Sequence, residues 1–239
     1  MTYNSFLKRL FIVLKTKWLL NLIKGRVFSF ASFDMINNLY KIESNLTTII
    51  DVGANKGQFQ KAANYFYPSA NIYSFEPIPE LFEGLVKVSN NNITNYNFAL
   101  GNEKGELDFQ KNKYFHISSF LDISKKNTDY PKNDVEIIKV QIRTLDDMHE
   151  ELNIHGKTLL KLDVQGFEVE ALKGAVNTLK KIDYIIVESN FEELYKNQPS
   201  YTELNAFLNL HNFEMRTMLD FNMGKDGNYI EADFLYKKR

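Results

Sequence analysis

Thr47-Thr48-Ile49-Ile50-Asp51-Val52-Gly53-Ala54-Asn55-Lys56-Gly57 is the stretch whose reading decides the fold. A β-branched run meets an acid and then two glycines. The residues that follow place Phe59, Ala62, Ala63 and Phe66 at helical spacing. Strand, glycine turn and helix, in that order, open an α/β sheet that holds a nucleotide-like ligand at the carboxyl edge of its strands. Glycine suits the turn because the backbone must approach the ligand closely and adopt positive φ. A second strand, residues 71–75, runs into Glu76-Pro77. That is about the distance at which such sheets place a carboxylate on a pair of ribose hydroxyls.

The turn lacks the third glycine of the dinucleotide pattern G-x-G-x-x-G, and Asp51 stands in front of it, where a pyrophosphate would be repelled. A carboxylate there suits a ligand with an amino or sulfonium group and no phosphate, which points to S-adenosylmethionine.

Farther out, further strands are expected at residues 93–100, 158–163, 182–188, 213–219 and 229–236. Helices are expected at 34–46, 58–67, 79–89 and 200–210, and along the stripe Val169, Leu172, Val176 and Leu179. Seven strands, with helices between the first five and a strand–turn–strand close, describe one doubly wound, mostly parallel α/β sheet with a terminal antiparallel strand. The domain is drawn over residues 47–239, with a small insertion at about 102–143. Within the insertion, 105–110 and 136–142 pair antiparallel around His116 and a polar connection, a kind of segment that often closes over a site.

Residues 1–46 stand apart as a basic, helical N-terminal segment. Its first 33 residues hold Lys8, Arg9, Lys15, Lys17, Lys24 and Arg26 without one acid, amid Phe11, Trp18 and many aliphatic side chains. Two readings fit: a helix lying on an anionic membrane surface, or a helix packed on the domain or on a sister subunit of a homo-oligomer. No run is long and apolar enough to span a bilayer.

Composition narrows the function classes. A formal net charge of −1 provides no global field for nucleic acid. With no cysteine, disulfides and thiolate metal sites are excluded, and the chain suits a reducing cytoplasm, with the inner membrane face as the alternative location. Only four histidines are present, so a base or metal ligand must come mainly from carboxylates. Asp51, Glu76, Asp163 and Glu188 each end an expected parallel strand, and those ends face one crevice.

Taken together, these blocks resemble the FkbM-type methyltransferases, S-adenosylmethionine-dependent O-methyltransferases of which many act on sugars. Residues 51–57, Phe75-Glu76-Pro77, Ala99-Leu100-Gly101 and Thr144-Leu145-Asp146 are similar to successive family motifs. The run Lys161-Leu162-Asp163-Val164-Gln165-Gly166-Phe167-Glu168, with Leu172-Lys173-Gly174-Ala175, is similar to the family's most specific block. The resemblance covers roughly residues 47–218. It implies a class I, Rossmann-like methyltransferase that takes S-adenosylmethionine and methylates a hydroxyl of a sugar or glycan acceptor. By that reading Gly53, Ala54, Asn55 and Gly57 wrap the methionine and ribose, Asp51 orients the amino group through water or loop amides, and Glu76 takes the ribose hydroxyls. Pro77, Ile78, Asn97 and Ala99 lie near the adenine, and Asp163, Glu188 and His116 are the candidates for removing the acceptor proton.

Gln165 departs from the family pattern, which carries glutamate there. Glutamine keeps an acceptor oxygen but loses the charge, so a divalent metal is left open and no metal ligand is assigned. Two other classes remain. One is a catalytically weakened cofactor-binding or scaffold protein, favoured by Gln165. The other is an NAD-dependent oxidoreductase or epimerase, which would want the phosphate-compatible turn this chain lacks.

Overall fold

The structure, a computed structural model, describes residues 29–124, 135–224 and 226–239. Helix α1 (Phe30–Ile42) leads into β1 (Leu46–Val52), α2 (Gln58–Phe66), β2 (Asn71–Phe75), α3 (Pro79–Val88) and β3 (Ile93–Tyr96). A second group follows: β4 (Ala99–Leu100), β5 (Gly105–Asn112) and β6 (Val135–Arg143). The chain then returns through β7 (Lys157–Leu162), α4 (Glu168–Lys173), β8 (Tyr184–Asn190), α5 (Tyr201–Leu210), β9 (Phe213–Met223) and β10 (Tyr229–Lys238). Seven strands form one sheet in the order β3-β2-β1-β7-β8-β10-β9, in which β10 runs antiparallel to both its neighbours. The winding reverses between β1 and β7, and a crevice opens there at the carboxyl ends of the strands.

Central parallel strands are covered on both faces, so their sequences read as continuous apolar runs. Ile50, Val52, Leu160, Leu162, Ile185 and Val187 pack with Leu172, Leu204 and Leu208 of α4 and α5. Their alternates Ile49, Leu159, Ile186 and Leu235 pack on the other side with Met35, Ile36 and Leu39 of α1 and Phe59 and Ala63 of α2.

Three boundaries differ from the sequence reading. The helix expected at 34–46 starts at Phe30, where the Ser29 hydroxyl accepts from Ser32 N, and its inner face lies in the same core as Leu159. Helix α1 thus packs on the sheet within that core. The rest of the basic segment, residues 1–28, and the polar stretch 125–134 lie outside the described residues. No described helix is long and apolar enough to cross a membrane.

The strand expected at 93–100 breaks after Tyr96. Asn97 turns its side chain back to donate to the carbonyls of Glu76 and Pro77, at 2.9 and 3.1 Å. Ala99–Leu100 then joins a separate sheet in the order β4-β6-β5, where β5 and β6 pair antiparallel as expected.

The helix expected through Leu179 ends at Lys173. A Cβ on Gly174 would collide with the Gly101 carbonyl, so the Gly101 and Gly174 backbones touch where no side chain fits. The chain resumes as a 3₁₀ turn, Thr178–Lys181, whose amides are held by Asp146: Thr178 N donates to Oδ1 at 2.7 Å and Asn177 N to Oδ2 at 2.9 Å. The Thr144-Leu145-Asp146 motif is thus a structural staple, with Leu145 in the core.

Gly174→Ala is expected to lower stability by about 1–3 kcal/mol, the usual cost of overpacking a tight contact, read as a reduced urea midpoint. An unchanged midpoint would show that the Gly101–Gly174 contact relaxes freely.

Candidate active site

The site arises from the same alternation that builds the core. Two residues beyond Ile49, Leu159 and Ile186, on the same sheet face, stand Asp51, Lys161 and Glu188. Strand β10 runs the other way, so Asp233 and Glu231 lie on that face before Leu235 is reached, with Asp233 opposite Glu188. At the carboxyl edge an apolar row has become a charged one.

Lys161 is the cation of that row. It is 5% exposed and is the register partner of Asp51. Its Nζ lies 3.4 Å from Asp51 Oδ1, 3.2 Å from Asp163 Oδ2 and 3.4 Å from the Gly53 carbonyl, and 5.4 Å from the centroid of the Phe59 ring. Burial alone would lower its proton affinity, but Asp163 and Asp51 outweigh that and raise it. Asp51, fully buried, is pushed up by desolvation against the pull of Lys161.

Above this ion cluster lies the glycine loop. Gly53 has φ 82°, and a side chain there would run into the Asp163 carbonyl. Gly53 N and Ala54 N both donate to the Phe75 carbonyl at 3.0 Å, tying the loop to the end of β2. Asn55, at φ 49°, donates its amide to Glu76 Oε2 at 2.8 Å, and Ile78 N donates to Oε1 at 2.9 Å. Glu76 is 4% exposed; burial raises its pKa to about 7, against those two amides, which pull it down.

Two cavities meet at the charged row. The first, about 210 Å³, is lined by Gly53, Asn55, Glu76, Pro77, Ile78 and Ala99 on one side and by Phe109, Phe115, His116, Ser118 and Phe120 of the insertion on another. Asp163, Gln165, Glu188 and Glu231 close its end. Apolar walls, a buried carboxylate and a terminal group of acids match the parts of S-adenosylmethionine: a purine, a ribose diol and a cationic sulfonium. The second cavity, about 380 Å³, is lined by Ser32, Gln58, Phe59, Lys161, Asp220, Phe221, Asn222 and Asp233, and it shares Gly53, Asn55, Asp163, Glu188 and Glu231 with the first. Desolvation, then Asp163 and the neighbouring acids of β10, raises the pKa of Glu188 well above the carboxylate range. Desolvation and Asp163 likewise raise Asp233 to about 7.

Of the residues expected at the cofactor, Gly53, Asn55, Glu76, Pro77, Ile78 and Ala99 line the first cavity. Four stand elsewhere. Asp51 lies beneath the loop against Lys161, and Gly57 caps α2 at φ 82°. Ala54 lines the second cavity, and Asn97 holds the Glu76 and Pro77 carbonyls. Asp163 and Glu188 line both cavities, while His116 stands at the exposed rim of the first in a 3₁₀ turn, Phe115–Ile117. Lys161, Asp220, Glu231, Asp233 and the insertion aromatics were not singled out from sequence as site residues. A lone lysine inside Leu159-Leu160-Lys161-Leu162 and alternate acids on the closing strand were the available signals.

The fold and this cleft define a class I, S-adenosylmethionine-dependent methyltransferase. Residues 51–215 match the methyltransferase FkbM domain, and the chain belongs to that family. It is 27% identical over 196 residues to the 2-O-methyltransferase NoeI of Sinorhizobium fredii, covering 76% of this chain and 77% of that one. It is 25% identical over 160 residues to the hexuronic acid methyltransferase AglP of Haloferax volcanii, covering 65% of this chain and 61% of that protein. Among solved structures, the N-terminal domain of EvdMO1, crystallised with SAH and D-fucose, superposes with a TM-score of 0.50 at 10% identity, covering 87% and 83% of the two chains. Against the longer EvdMO1 structure, this chain spans 41% of the length.

Two outcomes follow from the geometry. Lys161→Met leaves Asp51 and Asp163 without their cation and is expected to cost about 3–5 kcal/mol in urea unfolding at neutral pH. The deficit should shrink in acid, where a protonated Asp51 needs no partner; a pH-independent deficit would mean that packing, not charge, is lost. Glu76→Gln is expected to raise the dissociation constant for S-adenosylhomocysteine about tenfold or more at pH 8, because charge-assisted bonds to the diol are lost. In the unsubstituted protein a bound diol favours the ionised carboxylate, so affinity should fall as pH drops below about 7 and Glu76 gains a proton. Calorimetry across pH 6–8.5 checks this, with a flat profile expected for Glu76→Gln.

Proposed function

We propose that the protein transfers the methyl group of S-adenosylmethionine to a hydroxyl of a sugar or glycan. The observation that carries this reading is the shared wall, in which Asp163, Glu188 and Glu231 line both the cleft containing Glu76 and the second cavity. A hydroxyl in the second cavity would meet the reactive end of the cofactor across these carboxylates. Gln58, Asp220 and Asn222 offer hydrogen-bonding groups there, and Phe221 offers an apolar face, a combination suited to a hydroxyl-rich ring. The relatives named for 2-O-methylation and for hexuronic acid methylation support the same acceptor class.

The bound cofactor supplies an activated methyl group on a cationic sulfur. The protein's part is to hold the acceptor oxygen in line and to take its proton. A carboxylate would take the proton of the acceptor oxygen as that oxygen bonds to the methyl carbon and the carbon–sulfur bond breaks, with S-adenosylhomocysteine leaving as a neutral thioether. Glu188 is the first candidate, because it lines both cavities; burial, then the acids around it, raise its pKa. Asp163, anchored by Lys161 Nζ at 3.2 Å and Gln165 Nε2 at 2.9 Å, is placed to orient the hydroxyl. His116, at the rim, is the second candidate base.

The test is turnover, followed as S-adenosylhomocysteine formation with an acceptor found by screening glycan fractions of a cell extract. Glu188→Gln is expected to lower kcat by about 10²–10⁴-fold while S-adenosylhomocysteine still binds, and His116→Ala should retain most of its turnover. Collapse with His116→Ala alone would move the base to the insertion.

A further inference from the structure

Asp163 and Glu188 would repel each other in a shared cavity unless something stood between them. Gln165 stands there. Its Nε2 donates to Asp163 Oδ1 at 2.9 Å and to Glu188 Oε1 at 3.2 Å, one hydrogen to each carboxylate. Its Oε1 accepts from the Tyr195 hydroxyl at 2.8 Å. An amide turned the other way would press its oxygen on two carboxylates, so the acids and Tyr195 select the same orientation.

Both ends of this arrangement are fixed. Gln165 has φ 55°, left-handed backbone that a non-glycine residue holds only under constraint. Its carbonyl accepts from Ser119 Oγ at 2.7 Å, which in turn accepts from Leu121 N at 2.9 Å. Tyr195 is fully buried, its amide donating to Gln198 Oε1 at 2.8 Å and its backbone bridging to Ile123. The backbone of Gln165 is therefore held from the insertion, and its side chain from the segment after β8.

We propose that Gln165 is a positioning residue whose amide clips Asp163 and Glu188 together, a task a divalent cation could otherwise perform, and so selects proton removal by a carboxylate over polarisation of the hydroxyl by a metal. This rests on the methyl-transfer reading above. A neutral clip eases the repulsion between Asp163 and Glu188 through two hydrogen bonds but brings no positive charge to the row, so Glu188 keeps more of its raised proton affinity than it would beside a dication. A bound dication would cancel that repulsion and remove the base, supplying Lewis acidity instead. An amide nitrogen offers a cation no lone pair. A carboxylate in its place would offer a third oxygen donor beside two existing ones, toward the oxygen cage that hard cations require.

The measurement is Mn²⁺ binding to the full chain saturated with S-adenosylhomocysteine, followed by the loss of the free-ion electron paramagnetic resonance signal. The unsubstituted protein should show no saturable site. Gln165→Glu should gain one, and Asp163→Asn in that background should abolish it. Tyr195→Phe, nearly isosteric, frees the amide to present its oxygen and should give a weaker site. With the glycan fraction as acceptor, EDTA should leave turnover of the unsubstituted protein unchanged, while Gln165→Glu should depend on added Mn²⁺. Saturable Mn²⁺ binding by the unsubstituted protein, abolished by Asp163→Asn, would overturn the proposal. So would absence of a site in both Gln165→Glu and Tyr195→Phe when each binds S-adenosylhomocysteine normally. Failure of the unsubstituted protein to bind S-adenosylhomocysteine would instead count against the methyl-transfer reading.

Discussion

One ammonium group holds the carboxyl edge of this sheet together. Parallel pairing of β1 with β7 sets Asp51 beside position 161, and the Gly53 loop brings the Asp163 backbone close. Two carboxylates converge in a region of low dielectric, where like charges interact strongly. Lys161 lies between them, its head within 3.4 Å of both and 5.4 Å from the Phe59 ring centroid. The charge balance beneath the glycine loop is thus set by the fold before any ligand arrives. Farther along the row, Glu188, Glu231 and Asp233 are pushed toward protonation. The row divides into a half that holds Lys161 under the glycine loop and a half of acids toward the second cavity.

The two cavities are built differently. The cofactor side is tied by main-chain bonds: the Phe75 carbonyl takes two loop amides, and Glu76 takes two more. Its opposite wall comes from the insertion, joined to the central sheet by an aromatic chain in which Phe109 lies 4.8 Å from Phe120 and Phe120 lies 4.6 Å from Phe167. Side chains from α1, α2, β9 and β10 line the second cavity and supply most of its polarity.

Much of this was legible because the decisive signals are local. A strand ending in Asp51, a glycine turn and a helix lie within twenty residues, and Glu76 follows at the expected remove. The central strands β1, β7 and β8 were readable for the same reason, since buried parallel strands read as apolar runs. What could not be read depended on partners distant in sequence. The break after Tyr96 is caused by Asn97 reaching the Glu76 and Pro77 carbonyls. α4 ends where the Gly174 backbone meets the Gly101 carbonyl, and the extra acids of the site come from β9 and β10, whose register no local pattern specifies. Gln165 was visible as a departure from a motif. That its amide spans two carboxylates required the fold.

The charged row also bears on how the sheet assembles. Strands β1 and β7 are both apolar runs, which leaves their relative alignment poorly specified by hydrophobicity alone. In the native alignment Asp51 meets Lys161. A one-residue shift would rotate Lys161 into the opposite core beside Leu172 and Leu208, burying a bare ammonium at a cost of several kcal/mol. A two-residue shift would keep the face but set the lysine beside Ile49 or Gly53, with no acid as its register partner. Mispaired sheets are thus penalised by the same side chains that line the ligand crevice, and a substitution made there to alter chemistry also weakens the chain's means of rejecting wrong alignments while it folds.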